Sequence, residues 1–155
     1  MAELRAYEQA PVAVERAGAG GEFTHLLSTR RMRDLYNSLG VTLPTVRKRN
    51  KYNPAYLNGE DLAELGFESG ERVEIVSAQG RTQAIMQRDD TMRRGVVALT
   101  QGWGGTPGKD DVLVDGSCVN ALIDTDRNFE TINAMPHMSA VPVRFVSLGA
   151  RELAK

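Results

Sequence analysis

Asn58-Gly59-Glu60-Asp61-Leu62-Ala63-Glu64-Leu65-Gly66-Phe67-Glu68-Ser69-Gly70-Glu71-Arg72-Val73-Glu74-Ile75-Val76 is the stretch whose reading decides the fold class. Asn58 is a good helix N-cap, because its side-chain oxygen can accept an orphan backbone N–H of the first turn. Asp61 stands at the third helical position, where a carboxylate complements the helix dipole, and capping is the simplest reading of the Glu60-Asp61 pair. Leu57 and Leu62 occupy the two positions of a hydrophobic staple, and Gly66 supplies the left-handed residue that ends a helix. A helix is therefore expected over Gly59–Leu65. Phe67 to Glu71 reads as a turn, and Arg72-Val73-Glu74-Ile75-Val76 alternates polar with apolar in the manner of a half-buried strand. Ala78-Gln79-Gly80-Arg81 then reads as a hairpin turn with its return strand over residues 82–87.

Working outward, Asp90-Thr91-Met92-Arg93-Arg94-Gly95 is a connector and residues 96–100 are a third strand, with further strands expected over residues 119–123 and 141–146. On the N-terminal side, residues 23–28 read as a strand, residues 30–39 as a short helix or an ordered loop, residues 47–51 as a basic hinge, and Tyr56-Leu57 as a very short buried strand. Residues 1–21 are rich in Ala, Glu and Gly and end in Gly18-Ala19-Gly20-Gly21, the composition of a linker or loosely attached tail. Short strands, glycine turns and one or two short helices point to a mainly β chain folded as a small barrel over residues 22–150.

The bulk properties narrow the function classes. A chain of 155 residues with 41% apolar side chains is enough for one domain with a real core. Nineteen basic and 20 acidic residues leave a net charge of -1, which gives no overall field toward nucleic acid or an anionic membrane. The aromatic content of 6% also argues against a nucleic-acid binder, although Arg30 to Arg33 and Arg47 to Lys51 are locally basic. Cys118 is the single cysteine, so no internal disulfide or cysteine-rich metal or iron–sulfur site can form. It reads as a small strand residue in a reducing setting. No apolar run reaches the roughly 20 residues that span a bilayer, and the N-terminus lacks a basic start followed by an apolar core. A cytoplasmic location is expected. There is no Gly-x-Ser-x-Gly elbow, His-Glu-x-x-His or P-loop. His137 and His25 are too far apart in sequence to suggest a metal pair.

The order of pieces resembles a known family. Asn53-Pro54-Ala55-Tyr56-Leu57 leads into the helix and hairpin described above, followed by Arg93-Arg94-Gly95-Val96-Val97, Gln101-Gly102-Trp103 and Val119-Asn120-Ala121-Leu122-Ile123. This is similar to the C-terminal, molybdopterin-dinucleotide-binding domain of formate dehydrogenases, nitrate reductases and dimethyl sulfoxide reductases. Arg31-Met32-Arg33-Asp34-Leu35-Tyr36-Asn37-Ser38 most resembles the formate-dehydrogenase-like branch. The resemblance runs over residues 23–145. It implies a six-stranded double-psi β-barrel, of the aspartate-decarboxylase-like kind, that holds molybdopterin guanine dinucleotide in its bis form. The molybdenum or tungsten would be held outside this chain, and the partners would be the remaining domains or subunits of the oxidoreductase.

A pterin dinucleotide presents a pyrophosphate, ribose hydroxyls and heterocyclic edges, which call for cations, backbone N–H groups and side-chain amides or hydroxyls. The resemblance implies cofactor contacts from Thr29, Arg31, Met32, Leu35, Asn37, Ser38, Gln101, Gly102, Trp103, Asn120, Pro136 and His137. Arg31 can fork onto a phosphate or a pterin carbonyl, Gly102 lets a ligand approach the backbone, and the amide of Asn120 can read a ring edge. The competing readings are a solvated basic face for residues 30–33, a core anchor for Trp103 and an amide closing its own loop for Asn120. Family members often carry a lysine shortly after the proline matching Pro136, where this chain has His137-Met138-Ser139. With no catalytic set of its own, the chain is expected to bind and orient a cofactor rather than act as a complete enzyme. The alternative is a stand-alone double-psi barrel serving protein interaction, which does not explain the combination of Gln101, Trp103 and Asn120. The cofactor reading predicts that Arg31, Asn37, Ser38, Trp103 and Asn120 line one concave face, and Arg31 and Asn120 at opposite ends of the barrel would sink it.

Overall fold

The computed structural model describes residues 22–106, 111–130 and 132–148; the tail expected over residues 1–21 lies outside them. Six strands form in chain order: β1 (His25–Arg30), β2 (Ala55–Leu57), β3 (Arg72–Ser77), β4 (Arg81–Arg88), β5 (Val96–Thr100) and β6 (Ser139–Ser147). Two short helices, α1 (Pro44–Arg49) and α2 (Gly59–Leu65), flank β2, and a 3-10 turn covers Val119–Leu122. The strands close into a barrel in the order β1-β5-β2-β4-β3-β6. Two pairs are parallel, β1 with β5 and β2 with β4, and the other four are antiparallel. This is the mainly β, six-stranded double-psi barrel that the resemblance implies, and closure leaves no free sheet edge.

The core follows the strand period. β3 buries Val73, Ile75 and Ser77 in strict alternation, and these join Leu27, Leu57, Met86, Val97, Leu99, Leu122 and Val143 inside the barrel. The α2 helix forms as its sequence dictates. The Asn58 side chain accepts from the Glu60 N–H at 2.9 Å, while Gly66 takes a left-handed φ of 73° and Phe67 N–H returns to the Leu62 carbonyl at 2.9 Å.

Strand directions define two ends. At one, here the near end, lie the C-termini of β1, β3 and β5 and the N-termini of β2, β4 and β6, as the pairings require. The far end carries α2 and the opposite strand termini. A bulge marks the near end of the β1–β6 ladder, where pairing skips from Leu27↔Val141 to Ser28↔Ser139 and Ala140 takes a φ of 59°.

Two expectations need correction. Residues 119–122 form a 3-10 turn rather than a strand. The basic hinge over residues 47–51 is largely the last turn of α1, a helix started by Pro44 at its first turn. Of the two readings of residues 30–39, the structure takes the loop: residues 31–39 form an excursion closed by a Tyr36↔Leu39 bridge.

Candidate functional site

The near end gathers the segments singled out in the sequence. Residues 31–38 leave β1 and Gln101 leaves β5 side by side, tied by Gln101 N–H to the Arg30 carbonyl at 3.4 Å. The Gln101 Nε2 donates to Asn37 Oδ1 at 2.8 Å. The 3-10 turn carrying Asn120 packs on β4. There the Gly80 α-carbon faces the Ala121 carbonyl so closely that a side chain would collide with it, and Cys118 N–H reaches Thr82 Oγ1 at 3.2 Å. Pro136 and His137 precede β6; Pro136 bridges Phe129, and Thr29 N–H bonds the Met138 carbonyl at 3.2 Å. Arg31 and Asn120 therefore lie at the same end, on opposite sides of its rim.

Five of the expected residues converge on a single cleft. Arg31, Met32, Leu35, Asn37 and Gln101 line it together with Thr100, around about 170 Å³ of empty space that opens to solvent. Its polar lining is one guanidinium, two amides and one hydroxyl. Arg31 is exposed and has no ion pair or hydrogen bond among the described residues, so its five donors are uncommitted. Asn37 holds a left-handed φ of 55°, a conformation asparagine tolerates better than most side chains. Gly102, with φ 86°, presses its α-carbon against the Asn37 carbonyl and the Ser38 nitrogen, where a Cβ would stand 2.8 Å from that nitrogen. Here glycine serves the packing of one loop on the other, and Ser38 takes part through its backbone.

The remaining expected residues do not line this cleft. Thr29 sits half-buried within β1, Asn120 and His137 are exposed, and Pro136 is half-buried. Trp103 is a core anchor, 2% exposed. The Arg47 guanidinium stacks 4.9 Å above its ring while donating to the Lys51 and Val114 carbonyls at 2.8 and 2.6 Å. The indole cannot cover a flat ligand from that position, because it is buried and Arg47 occupies one face. Its Nε1, like Asp115 Oδ2 and Ser117 Oγ in the adjoining loop, is buried with no hydrogen-bond partner among the described residues.

A residue that sequence reasoning passed over organises this region. Asn53 is fully buried; its Nδ2 donates to the Thr100 and Ser117 carbonyls at 2.8 and 3.0 Å, and its Oδ1 accepts from Ser117 N–H at 2.7 Å. The Asn-Pro step that opens β2 was the available signal, a polar residue directly before a buried strand. Among the described residues no group of His, Cys, Asp and Glu side chains could hold a metal ion, and no described helix is long and apolar enough to cross a membrane.

The donors of the cleft are of the kind that suit a phosphate or a heterocyclic edge, and the glycine-packed loop brings backbone close to it. Its enclosed space is only about 10 Å³, room for a water-sized group and far below ordinary ligand pockets of roughly 300–1,000 Å³, so the described residues enclose no whole ligand by themselves.

Comparison with known proteins agrees with this geometry. Acetylene hydratase from Pelobacter acetylenicus superposes with a TM-score of 0.70 at 18% identity, over 81% of this chain. At that identity the likeness establishes the fold. The chain spans only 18% of the length of that protein. No curated protein matches. The family model described as "Molydopterin dinucleotide binding domain" matches residues 26–142. Since that match takes in β1, the cleft, the hairpin and the first half of β6, the chain belongs to the molybdopterin-dinucleotide-binding domain family.

Proposed function

We propose that this chain holds the guanine dinucleotide end of a bis-molybdopterin cofactor, as one domain or subunit of a molybdenum or tungsten oxidoreductase of the formate-dehydrogenase kind. The carrying observation is the makeup of the near end: uncommitted Arg31, the linked amides of Asn37 and Gln101, and a cleft too small to enclose the ligand. Arg31 would take a phosphate or carbonyl, and the two amides a base or sugar edge. When bound, the cofactor supplies the redox chemistry at a metal held by other parts of the enzyme. The cytoplasmic location belongs to the same reading, in keeping with a lone thiol.

The partner would cover the same end. Among the described residues, every exposed large hydrophobic side chain except Leu148 belongs to near-end loops: Tyr36, Leu39, Leu43, Val114, Phe129, Ile132 and Met135. Apolar surface gathered beside a ligand cleft marks an interface. The remaining domains of the oxidoreductase would bury it and complete the wall of the site.

A titration of the isotope-labelled chain with guanosine diphosphate, followed by amide chemical shifts, tests the assignment. A partial site should bind weakly, with a Kd of about 1 mM, or roughly -4 kcal/mol. Shifts should be confined to residues 29–38 and 100–102 and should exceed those produced by cytidine diphosphate. Shifts centred on α2, or no preference between the two bases, would overturn it. The isolated chain should turn over neither formate nor nitrate.

A further inference from the structure

We infer that Asn53 is a positioning residue for the near end, its buried amide fixing the spacing between the loop that carries Gln101 and the loop that carries Asn120. The inference deepens the dinucleotide reading and rests on it for the meaning of that spacing. Asn53 precedes β2 and belongs to neither loop. Its three hydrogen bonds reach across 47 residues to Thr100 and 64 residues to Ser117. Thr100 lines the cleft and is followed by Gln101, which in turn holds Asn37. Ser117 is followed by Cys118 and the 3-10 turn with Asn120. One planar amide thus sets the distance between two loops that chain order keeps apart.

The chemistry singles out asparagine. The site offers two carbonyl acceptors and one N–H donor, and a carboxamide supplies the complementary two donors and one acceptor. Gly116 shows how tightly the amide is seated. At φ 84°, a Cβ there would fall 2.6 Å from Asn53 Oδ1 and 2.8 Å from Trp103 Cε3. Among the described residues of the surrounding loops, which also carry Lys48, Arg49, Lys51 and Asp111, the charged groups beside its neighbours are Arg47, stacked on Trp103, and Asp115, next to Gly116. Neither hydrogen-bonds Asn53.

The test is the substitution Asn53→Asp in the full chain. A carboxylate keeps the acceptor for Ser117 N–H but turns lone pairs toward two carbonyl oxygens. Burial raises its pKa, so the acid form regains one of the two donors as pH falls, and the variant should be defective near about pH 8 and partly restored near about pH 5. At the higher pH the Gln101 side-chain amide signal should leave its wild-type position. Ser117 N–H keeps its acceptor, but its loop loses the bond donated to the Ser117 carbonyl, so opening of the loop, and with it Ser117 amide exchange, should rise roughly tenfold, the cost of about one hydrogen bond. Guanosine diphosphate should bind about tenfold more weakly, and all three readouts should recover in part at the lower pH. The Gly95 amide, at the far end, should stay put relative to wild type carried through the same range. Thr82→Val, which removes the other anchor of this loop, should leave the Gln101 signal unmoved.

Unchanged Gln101 and Ser117 signals in Asn53→Asp near the higher pH would overturn the inference. So would unchanged nucleotide affinity while those signals move, or an equal Gln101 shift in Thr82→Val. Should the variant unfold at the higher pH, the signals are followed upward from the lower one. The inference then stands only if Gln101 and Ser117 depart before Gly95 does. If wild type binds no guanosine diphosphate, the dinucleotide reading fails, while the two amide signals still decide the spacing.

Discussion

At the far end, the charged groups around α2 find partners within the fold, while His25 Nε2 is buried without a hydrogen bond among the described residues. Asp61, 3% exposed, accepts from Arg94 Nε and Gly95 N–H, both at 2.7 Å, and Arg94 also reaches Glu60 and Glu64. At the near end, Arg31 is uncommitted and three buried polar atoms in the Trp103 region lack partners among the described residues. All four described non-glycine residues with positive φ, namely Asp34, Asn37, Ala134 and Ala140, sit in near-end segments. The exposed apolar side chains gather there as well. One end has been closed for stability. The other holds strain and unspent hydrogen-bonding capacity, the usual state of a surface that completes itself on binding. This contrast predicts that far-end substitutions cost stability and spare ligand binding, while near-end substitutions do the reverse as they approach the cleft.

The largest effect is expected for Asp61→Ala. The change removes two charge-assisted hydrogen bonds at once and leaves the Gly95 N–H without its acceptor. A loss of about 3 kcal/mol in urea unfolding is expected, less than for a fully enclosed pair because Arg94 can turn to water. Guanosine diphosphate affinity of the folded fraction should not change. A loss below about 1 kcal/mol would mean that Asp61 merely caps its helix, and the far end would no longer be the stabilising one.

Gly102→Ala carries the comparison to the near end with a somewhat smaller cost. The new Cβ meets Asn37 and Ser38 backbone in a left-handed conformation that alanine adopts reluctantly. About 2 kcal/mol is expected from strain and the shifted loop. Here nucleotide binding should fall together with stability. Loss of stability alone would show that the contact between residues 37–38 and Gly102 is scaffold and not part of the site.

Much of the far end was legible in the sequence and less of the near end, for a physical reason. The span Gly59–Leu65 was fixed by local signals, an N-cap, a staple and a C-terminal glycine, all acting within one turn of the residues they control. The span Val96–Thr100 was set equally locally, and so, at the near end, was the Gly80 hairpin. Asp61 was read as a dipole partner because its true partner, Arg94, lies 33 residues on. At the near end, α1 hid behind its charges, although Pro44 in the first turn and Arg47, Lys48 and Arg49 in the last were both helix signals. Val119-Asn120-Ala121-Leu122 was too short an apolar run for its period to separate strand from turn. The cleft residues Arg31, Asn37 and Gln101 came from resemblance, and Asn53 was missed because its role depends on two segments remote in sequence.

A pH experiment sharpens the far-end half of the comparison with a smaller effect. The His25 ring lies edge-on to Phe145 at 5.1 Å, its Nδ1 pairs with Thr24 Oγ1, and its Nε2 stands 3.6 Å from Asp61, beyond hydrogen-bond reach. Burial lowers its pKa below the ordinary 6.5, outweighing the attraction of Asp61. The unfolded chain therefore binds the proton more readily than the folded one. Stability should be full above pH 6.5, decline as pH falls from 6.5 toward the depressed folded pKa, and level off once both states are protonated. His25→Gln should flatten that part of the urea-midpoint profile. A wild-type midpoint that instead rises as pH falls through this window would show that His25 and Asp61 form a working ion pair.

The smallest stability effect, and the most telling one, is expected for Arg31→Ala. The side chain touches no described partner, so its removal should change the unfolding free energy by less than about 0.5 kcal/mol. The same change deletes the one uncommitted guanidinium lining the cleft. Guanosine diphosphate binding should weaken by roughly three- to tenfold, the share of a solvent-screened charge-assisted contact. A stability loss as large as that of Gly102→Ala would place Arg31 in the scaffold and erase the division between the ends. Unchanged nucleotide binding would leave Asn37 and Gln101 as the groups that read the ligand, because their amides share one hydrogen bond and line the same cleft.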